Sequence, residues 1–132
     1  MFIEELINQI YENNSEVYEL AMAHNCGDTS ALSELSAEII EAVQAQLIAE
    51  FGGTIELYHG SEAELSTSIE WKENSSFTDE FDIEFAGEDG YITVAQIPVN
   101  RIKFYLTEER EFVITAGKLS CEVFTVREYF GL

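Results

Sequence analysis

The first fifty residues place apolar side chains three to four positions apart, which is the spacing of one face of an α-helix. A first apolar arc is formed by Ile3, Leu6, Ile7, Ile10, Val17, Leu20, Ala21 and His24. Acidic residues such as Glu12 and Glu16 fall on the opposite arc. The phase is kept across Asn13-Asn14-Ser15, so we predict one helix over residues 2–24, although this polar triplet could divide it into two.

A second apolar stripe runs from Leu32 to Leu47, and Gly52-Gly53 ends it. Between the stripes, the segment over residues 25–28 is typical of a helix stop followed by a turn. One of the polar residues at positions 28–30 could cap the second helix. Because the link between the helices is short, the pattern predicts an antiparallel helix pair.

From Thr54 onward the apolar period changes to two, as in strands with one buried and one solvent-exposed face. The alternation is clearest over residues 62–71 and 77–86, which we predict to be strands and treat as neighbours. The same pattern predicts further strands near residues 55–57, 91–97, 101–107, 111–117 and 119–127. A turn is predicted at Gly87-Glu88-Asp89-Gly90.

These elements predict an α+β fold with an N-terminal antiparallel helix pair packed on one face of an antiparallel sheet of about six or seven strands. The helical pair would occupy residues 1–53 and the sheet residues 54–132. With 132 residues, of which 46% are hydrophobic, the chain suits a single domain with its own core. It contains no linker, repeat or low-complexity tract, so one domain over residues 1–132 is expected.

Charge is the unusual property of this composition. Twenty-six Asp and Glu face six Lys and Arg, which gives a formal net charge of -20. Solubility needs a magnitude of only about 2–8 in a small domain, and a larger charge opposes folding by self-repulsion. We therefore expect the surface to meet a positively charged partner. The alternative is a generally acidic surface without such a partner.

The acidic and basic residues are unevenly distributed. Residues 1–71 hold 14 acids and no Lys or Arg. The basic residues, all later in the chain, are Lys72, Arg101, Lys103, Arg110, Lys118 and Arg127. If residues 62–71 pair with residues 77–86, acids on the exposed faces of both strands would lie side by side. Like charges in this position destabilise a sheet, so the arrangement indicates selection for something other than stability.

A row of alternate acids on a strand has a spacing of ~6.6–6.8 Å, of the same order as phosphates along a nucleic-acid strand. Such a row could imitate a phosphate backbone and enter a Lys- and Arg-lined groove. The residues predicted to contact the partner are Glu64, Glu70, Glu80, Asp82, Glu84, Glu88 and Asp89. A second predicted face consists of Glu34, Glu38 and Glu41.

No motif identifies a reaction. Phosphate-binding, zinc-protease and nucleophile-elbow patterns are missing from the sequence. His24 and Cys26 lie within the predicted helix stop, where Gly27 supplies a turn, so a catalytic role is not favoured. Carboxylates over residues 79–84 alternate sides and do not converge on an ion. We predict no enzymatic activity, no cofactor and no specific metal site. Asp79, in phase with Phe77, is expected to turn outward.

Several partners and compartments are disfavoured. Direct nucleic-acid binding needs Lys and Arg, and anionic membrane surfaces repel an acidic chain. Met1 leads directly into acidic residues without a basic n-region or a long apolar segment. The two cysteines are then expected to be reduced thiols, and the expected compartment is the cytoplasm, a host's if a phage encodes the protein.

In size and charge the chain resembles the small acidic inhibitors that phages and mobile elements use against DNA-handling machinery, such as anti-restriction and anti-CRISPR proteins. The resemblance implies a non-enzymatic protein that binds and inhibits a basic, nucleic-acid-handling partner by mimicking nucleic acid charge. Two alternatives are an immunity or antitoxin-like protein that caps a basic toxin, and a structural or assembly protein that self-associates through the sheet, for example as a homodimer.

Overall fold

The computed structural model describes residues 2–82 and 86–132 and confirms the α+β class. Its α-helices are α1 Ile3–Asn13, α2 Ser15–Asn25, α3 Ala37–Phe51 and α4 Val126–Phe130. Its strands are β1 Thr54–Ser61, β2 Glu70–Trp71, β3 Ser75–Thr78, β4 Tyr91–Pro98, β5 Ile102–Leu106, β6 Glu111–Ile114, β7 Gly117–Lys118 and β8 Ser120–Thr125. In the described residues, six strands form one antiparallel sheet in the order β5-β6-β3-β1-β4-β8, and β2 and β7 form a small second sheet.

The first apolar arc folds as two helices, so the predicted single helix over residues 2–24 is wrong. Asn14 adopts an extended conformation with φ -148° and ψ 91°, which separates α1 from α2. Asn side chains compete with the helical backbone for hydrogen bonds, and Asn13 Nδ2 donates to Gln9 O at 2.9 Å. The predicted apolar phase still holds, because Ile7 and Ala21 on either side of the break are buried.

The third helix begins later than a cap at residues 28–30 would place it. Asp28 Oδ1 instead accepts hydrogen bonds from the amide and hydroxyl of Ser30, at 3.1 and 2.7 Å, and these bonds lower the pKa of Asp28. A 3-10 turn over Ala31–Glu34 follows. Ser36 then caps α3, because its Oγ accepts from Ile39 N at 3.4 Å.

The helices and the sheet share one core. Helices α1 and α3 pack against β5, and α3 also reaches β1. The most deeply buried large side chains of the sheet include Leu57, Phe77, Ile97, Ile102, Phe104, Phe112 and Ile114. Their counterparts in the helical layer are Ile7, Leu32, Val43 and Leu47. Burial of these chains stabilises the fold by about 1.5–3 kcal/mol per large apolar side chain.

The predicted strands over residues 62–71 and 77–86 are mostly wrong, and so is their pairing. Only Glu70–Trp71 of the first segment is strand, and β2 pairs with β7. In the second segment β3 ends at Thr78 and lies between β1 and β6. The side chain of Thr78 closes a turn there, because its Oγ1 donates to Glu80 O at 3.1 Å and accepts from Glu80 N at 3.3 Å. Residues 83–85 lie outside the described residues.

The last predicted strand ends early and gives way to a helix. Strand β8 stops at Thr125, whose Oγ1 accepts from Glu128 N at 3.1 Å, while Glu128 Oε1 accepts from Thr125 N at 3.3 Å. This reciprocal capping box starts α4. Gly131, in the left-handed region with φ 70°, ends it. The pattern Thr-x-x-Glu was therefore a local signal for a helix within the predicted strand.

Candidate functional site

Two arginines make all the ion pairs of the described residues. Arg110 pairs with Asp79 and Glu80 at 3.2 and 3.0 Å, and Arg127 pairs with Glu88 and Asp89 at 3.5 and 3.3 Å. The arginine side chains are about half exposed, so each pair contributes about 0–1 kcal/mol to stability. The two arginines also partly neutralise the surface charge of Asp79, Glu80, Glu88 and Asp89.

Asp79 does turn away from the core. It follows the last residue of β3, and Arg110 Nη2 lies 3.2 Å from both of its carboxylate oxygens. The nearby carboxylate raises the pKa of the Arg110 guanidinium, which keeps the pair charged.

The acids of residues 2–71 have no such arginine partners in the described structure. None of the 14 acidic side chains in residues 2–71 belongs to an ion pair of the described structure. Glu34, Glu38 and Glu41, the second predicted face, are all exposed. Glu34 lies in the 3-10 turn before α3, and Glu38 lies in the first turn of α3. Glu38 and Glu41 are three residues apart on one helix, so their side chains are neighbours.

The sheet row predicted from the sequence is not assembled. Glu64 lies in the loop before β2 and Glu70 within β2, where it stands opposite Lys118 in the register. Strand β2 pairs with β7, so neither β2 nor the loop before it pairs with the chain near Glu80. Glu84 lies outside the described residues. Among the described residues of that row, Glu80 and Asp82 are the two that the structure groups.

Glu80 and Asp82 lie on a groove of about 700 Å³ beside the C-terminus. Its apolar side consists of Phe81, Phe130 and Leu132. The rings of Phe81 and Phe130 are stacked with their centroids 5.9 Å apart. An acidic rim over exposed aromatic residues is typical of a surface that meets another protein.

An aromatic cluster supports one side of this groove. The ring of Tyr129 contacts Tyr58, Phe124 and Phe130, with centroid distances of 6.2, 6.0 and 5.2 Å. Burial, together with a hydrogen bond that the Tyr58 hydroxyl donates to Tyr129, raises the pKa of Tyr58 to about 12. Tyr58 therefore stays neutral throughout the physiological range.

A smaller cavity of about 220 Å³ adjoins the groove at Thr78, which lines both. Its other lining residues are Tyr58, His59, Gly60, Ser76, Phe77 and Glu111. His59 Nδ1 lies 2.9 Å from Ser76 O, so a neutral ring holds its proton on Nδ1 and leaves Nε2 as an acceptor. The His59 ring packs on the rings of Trp71 and Phe77, with centroid distances of 5.0 and 5.5 Å.

Glu111 supplies the carboxylate of this cavity and is half-buried. Burial raises the pKa of Glu111, and Glu109 adds to that effect. The Ser76 hydroxyl, His24 and His59 oppose the shift without cancelling it. Glu111 belongs to no ion pair of the described residues. A carboxylate in this position is poorly compensated when ionised.

Glu111→Gln is therefore expected to raise the melting temperature at pH 7. The native pKa lies above the unfolded value, so the ionised carboxyl opposes folding at pH values above the native pKa, and this penalty is absent below the unfolded pKa. The advantage of the variant over the wild type should shrink as the pH falls towards 4. Thermal unfolding at several pH values measures it, with Glu19→Gln, an exposed acid of α2, as the control. An advantage that grew on acidification would contradict the assignment.

A buried polar contact that the sequence did not reveal lies away from the cavity. Lys103 Nζ donates to Asn74 Oδ1 at 2.7 Å. Both residues are buried, with 6% of Lys103 and 5% of Asn74 exposed. Asn74 also donates to Thr29 O and Ser33 Oγ. The only signals in the sequence are a lysine inside the apolar run of β5 and an asparagine in a turn.

The residues considered for chemistry are dispersed. Cys26 is exposed after the end of α2, and Gly27, with φ 106°, supplies the expected turn. His24 Nε2 lies 3.5 Å from Ser76 Oγ. Cys121 is the other free thiol. Across residues 2–82 and 86–132, no three His, Cys, Asp or Glu side chains gather in a way that could hold a metal ion.

The fold and its surface define a small α+β protein with acidic helices and an aromatic groove near the C-terminus. In the described part of the chain, every helix is too short or too polar to cross a bilayer. Comparisons with protein-family models, with curated proteins and with solved structures gave no match.

Proposed function

We propose that this protein is a non-enzymatic inhibitor that binds a basic, nucleic-acid-handling partner by mimicking the charge of nucleic acid. One observation carries the proposal: the 14 acids of residues 2–71 join no ion pair within the described residues, and their own part of the sequence contains no Lys or Arg. Such a surface lowers the stability of the free protein by self-repulsion. A cationic partner relieves that repulsion, so the charge favours binding.

The helical face is the better candidate for the contact than the predicted sheet row. Glu34, Glu38 and Glu41 are exposed and unpaired, whereas Arg110 already pairs with Glu80. Exposed acids speed up the encounter with a basic groove and set its orientation. Contacts that resist dissociation need apolar or aromatic residues as well, and the groove beside Phe81 and Phe130 offers them.

Counter-defence of the anti-restriction or anti-CRISPR type is the form of this function that the size and charge of the chain favour. In that role the protein would occupy the groove through which the partner binds DNA or RNA. Double-stranded DNA should then compete with it, and raised salt should weaken it, because the screening length falls from about 10 Å at 0.1 M to about 3 Å at 1 M.

Reversing the charges of the helical face is expected to weaken partner binding about 100-fold. The variant is Glu34→Lys with Glu38→Lys and Glu41→Lys. Three lost charge contacts of about 1 kcal/mol each amount to that factor. The partner is first captured from a nuclease-treated lysate at about 0.1 M salt and eluted at about 1 M salt. Its affinity is then measured by calorimetry at both salt concentrations, with and without competing double-stranded DNA.

A matched control reverses three other exposed acids, Glu56, Glu62 and Glu122, and changes the net charge by the same amount. It should weaken binding much less. An equal loss in both triple variants would show that only net charge matters and would remove the helical face from the proposal. A partner that DNA fails to displace would remove charge mimicry itself.

Self-association is the second candidate, and the exposed apolar C-terminus favours it. Tyr129, Phe130 and Leu132 are 41%, 42% and 64% exposed. Sedimentation at several salt concentrations distinguishes the two functions, because screening strengthens contact between like-charged copies and weakens contact with a basic partner.

A further inference from the structure

The cavity beside β3 combines a half-buried carboxylate with aromatic walls. Tyr58, His59 and Phe77 form the walls and Glu111 supplies the carboxylate. Its volume, about 220 Å³, is below the ~300–1,000 Å³ of typical small-molecule sites. The space therefore suits a single side chain better than a cofactor or a drug-sized ligand.

The charge of the lining determines which side chain fits. Among the described residues that line the cavity, Glu111 is the only Asp, Glu, Lys or Arg. The closest arginine in the sequence, Arg110, is engaged by Asp79 and Glu80 in the adjoining groove. An anionic occupant would meet Glu111 directly, and a purely apolar one would leave the carboxylate buried without a counter-charge.

An arginine side chain can interact with both the carboxylate and the aromatic walls of the cavity. Its planar guanidinium can donate two parallel hydrogen bonds to a carboxylate and stack on an aromatic face. The His59 ring is held in place by the contact of its Nδ1 with Ser76 O at 2.9 Å, so it forms a fixed part of the wall. Lysine has a compact, strongly hydrated ammonium that neither stacks nor forms such a fork.

We infer that this cavity is an anchor pocket for one arginine side chain of the protein partner, with Glu111 as its counter-ion. The inference rests on the proposed function, because it assigns a specific residue type to the basic partner. The open groove at Thr78 leads from the surface into the pocket, so residues flanking the arginine can contact Phe81 and Phe130. Arginine is enriched among the few interface residues that contribute most to binding affinity, and such residues commonly lie in desolvated pockets.

The test uses the full chain and a defined probe, the blocked tripeptide Gly-Arg-Gly, followed by amide chemical shifts in NMR. Saturable shifts are expected at Gly60, Ser76 and Thr78. The same peptide with citrulline, which has the shape of arginine without its charge, should give no saturable shifts. The lysine peptide should bind more weakly than the arginine peptide.

Glu111→Gln should reduce affinity for the arginine peptide at least about tenfold, because it removes the charge-assisted bonds. Glu19→Gln removes the same net charge from an exposed position on α2, away from the pocket and the groove, and should change the affinity less than about twofold. Since Glu111→Gln is expected to raise thermal stability, weaker binding by that variant cannot be attributed to unfolding.

Equal binding by the wild type and Glu111→Gln would overturn the inference, as would equal binding of the citrulline peptide. Shifts that spread over the surface acids and never saturate would also overturn it. The proposed function is tested separately, with the real partner and the helical-face variants. If those variants lose the partner while the arginine peptide fails to bind, only the anchor pocket is rejected.

Discussion

Replacing Asn74 by alanine is expected to lower the free energy of unfolding by about 3–5 kcal/mol. The side chain is 5% exposed and donates to Thr29 O and Ser33 Oγ at 2.7 and 3.1 Å. It also accepts the bond from Lys103 Nζ at 2.7 Å. Alanine would leave the buried ammonium without this acceptor and would have to adopt φ 65°, which disfavours residues other than Gly and Asn. Urea unfolding followed by circular dichroism measures the loss.

Lys103→Met supplies the control for this prediction. Burial lowers the pKa of Lys103, so its charged form opposes folding at pH values below the native pKa, and the opposition is relieved as the pH rises through that value. Asn74→Ala should therefore be less damaging in the Lys103→Met background than in the wild type. A loss below about 1 kcal/mol in the wild-type background, the net worth of an ordinary hydrogen bond, would contradict this account.

The second large effect is expected at Phe77. Phe77→Ala should lower the free energy of unfolding by about 3–5 kcal/mol, because a buried aromatic side chain leaves a cavity when it is removed. The ring is 1% exposed and its centroid lies 4.8 Å from that of Trp71. Within β3 it stands opposite Phe112. Chemical denaturation at pH 7 measures the change.

Phe81→Ala is the matched comparison. Phe81 is half-buried in the groove, where it stacks on Phe130, so its removal should cost about 0.5–1.5 kcal/mol. The sequence alternation assigns both phenylalanines to one face of one strand and therefore predicts similar losses. Equal losses would favour that continuous strand over the turn at Thr78.

The helices show which features of the fold local sequence patterns can predict. The apolar phase predicted that Ile7, Val17 and Ala21 face the core, and all three are buried. Burial on one side of a helix imposes the 3.6-residue period directly on the sequence. The same phase could not reveal the break at Asn14, because periodicity reports which side chains are buried and not the backbone angles between them.

The strands show where local patterns fail. Period two occurs both in strands and in irregular segments, and the alternation before Trp71 belongs mostly to a loop. Which strands pair depends on hydrogen bonds between distant parts of the chain, as with β3, whose neighbours are β1 and β6. Helix α4, in contrast, was locally encoded by Thr125 and Glu128.

By itself, the sequence determined the α+β class, the apolar faces of the helices and the excess of acids in the first 71 residues. These properties depend on composition and on spacing along the chain. The tertiary structure alone decided that Arg110 pairs with Asp79 and Glu80 and that Arg127 pairs with Glu88 and Asp89, while the acids of residues 2–71 join no ion pair in the described part of the chain. It alone placed Glu111 in an aromatic cavity. Ion pairs and cavities join residues that are far apart in the chain, and only the folded backbone sets the distances between them.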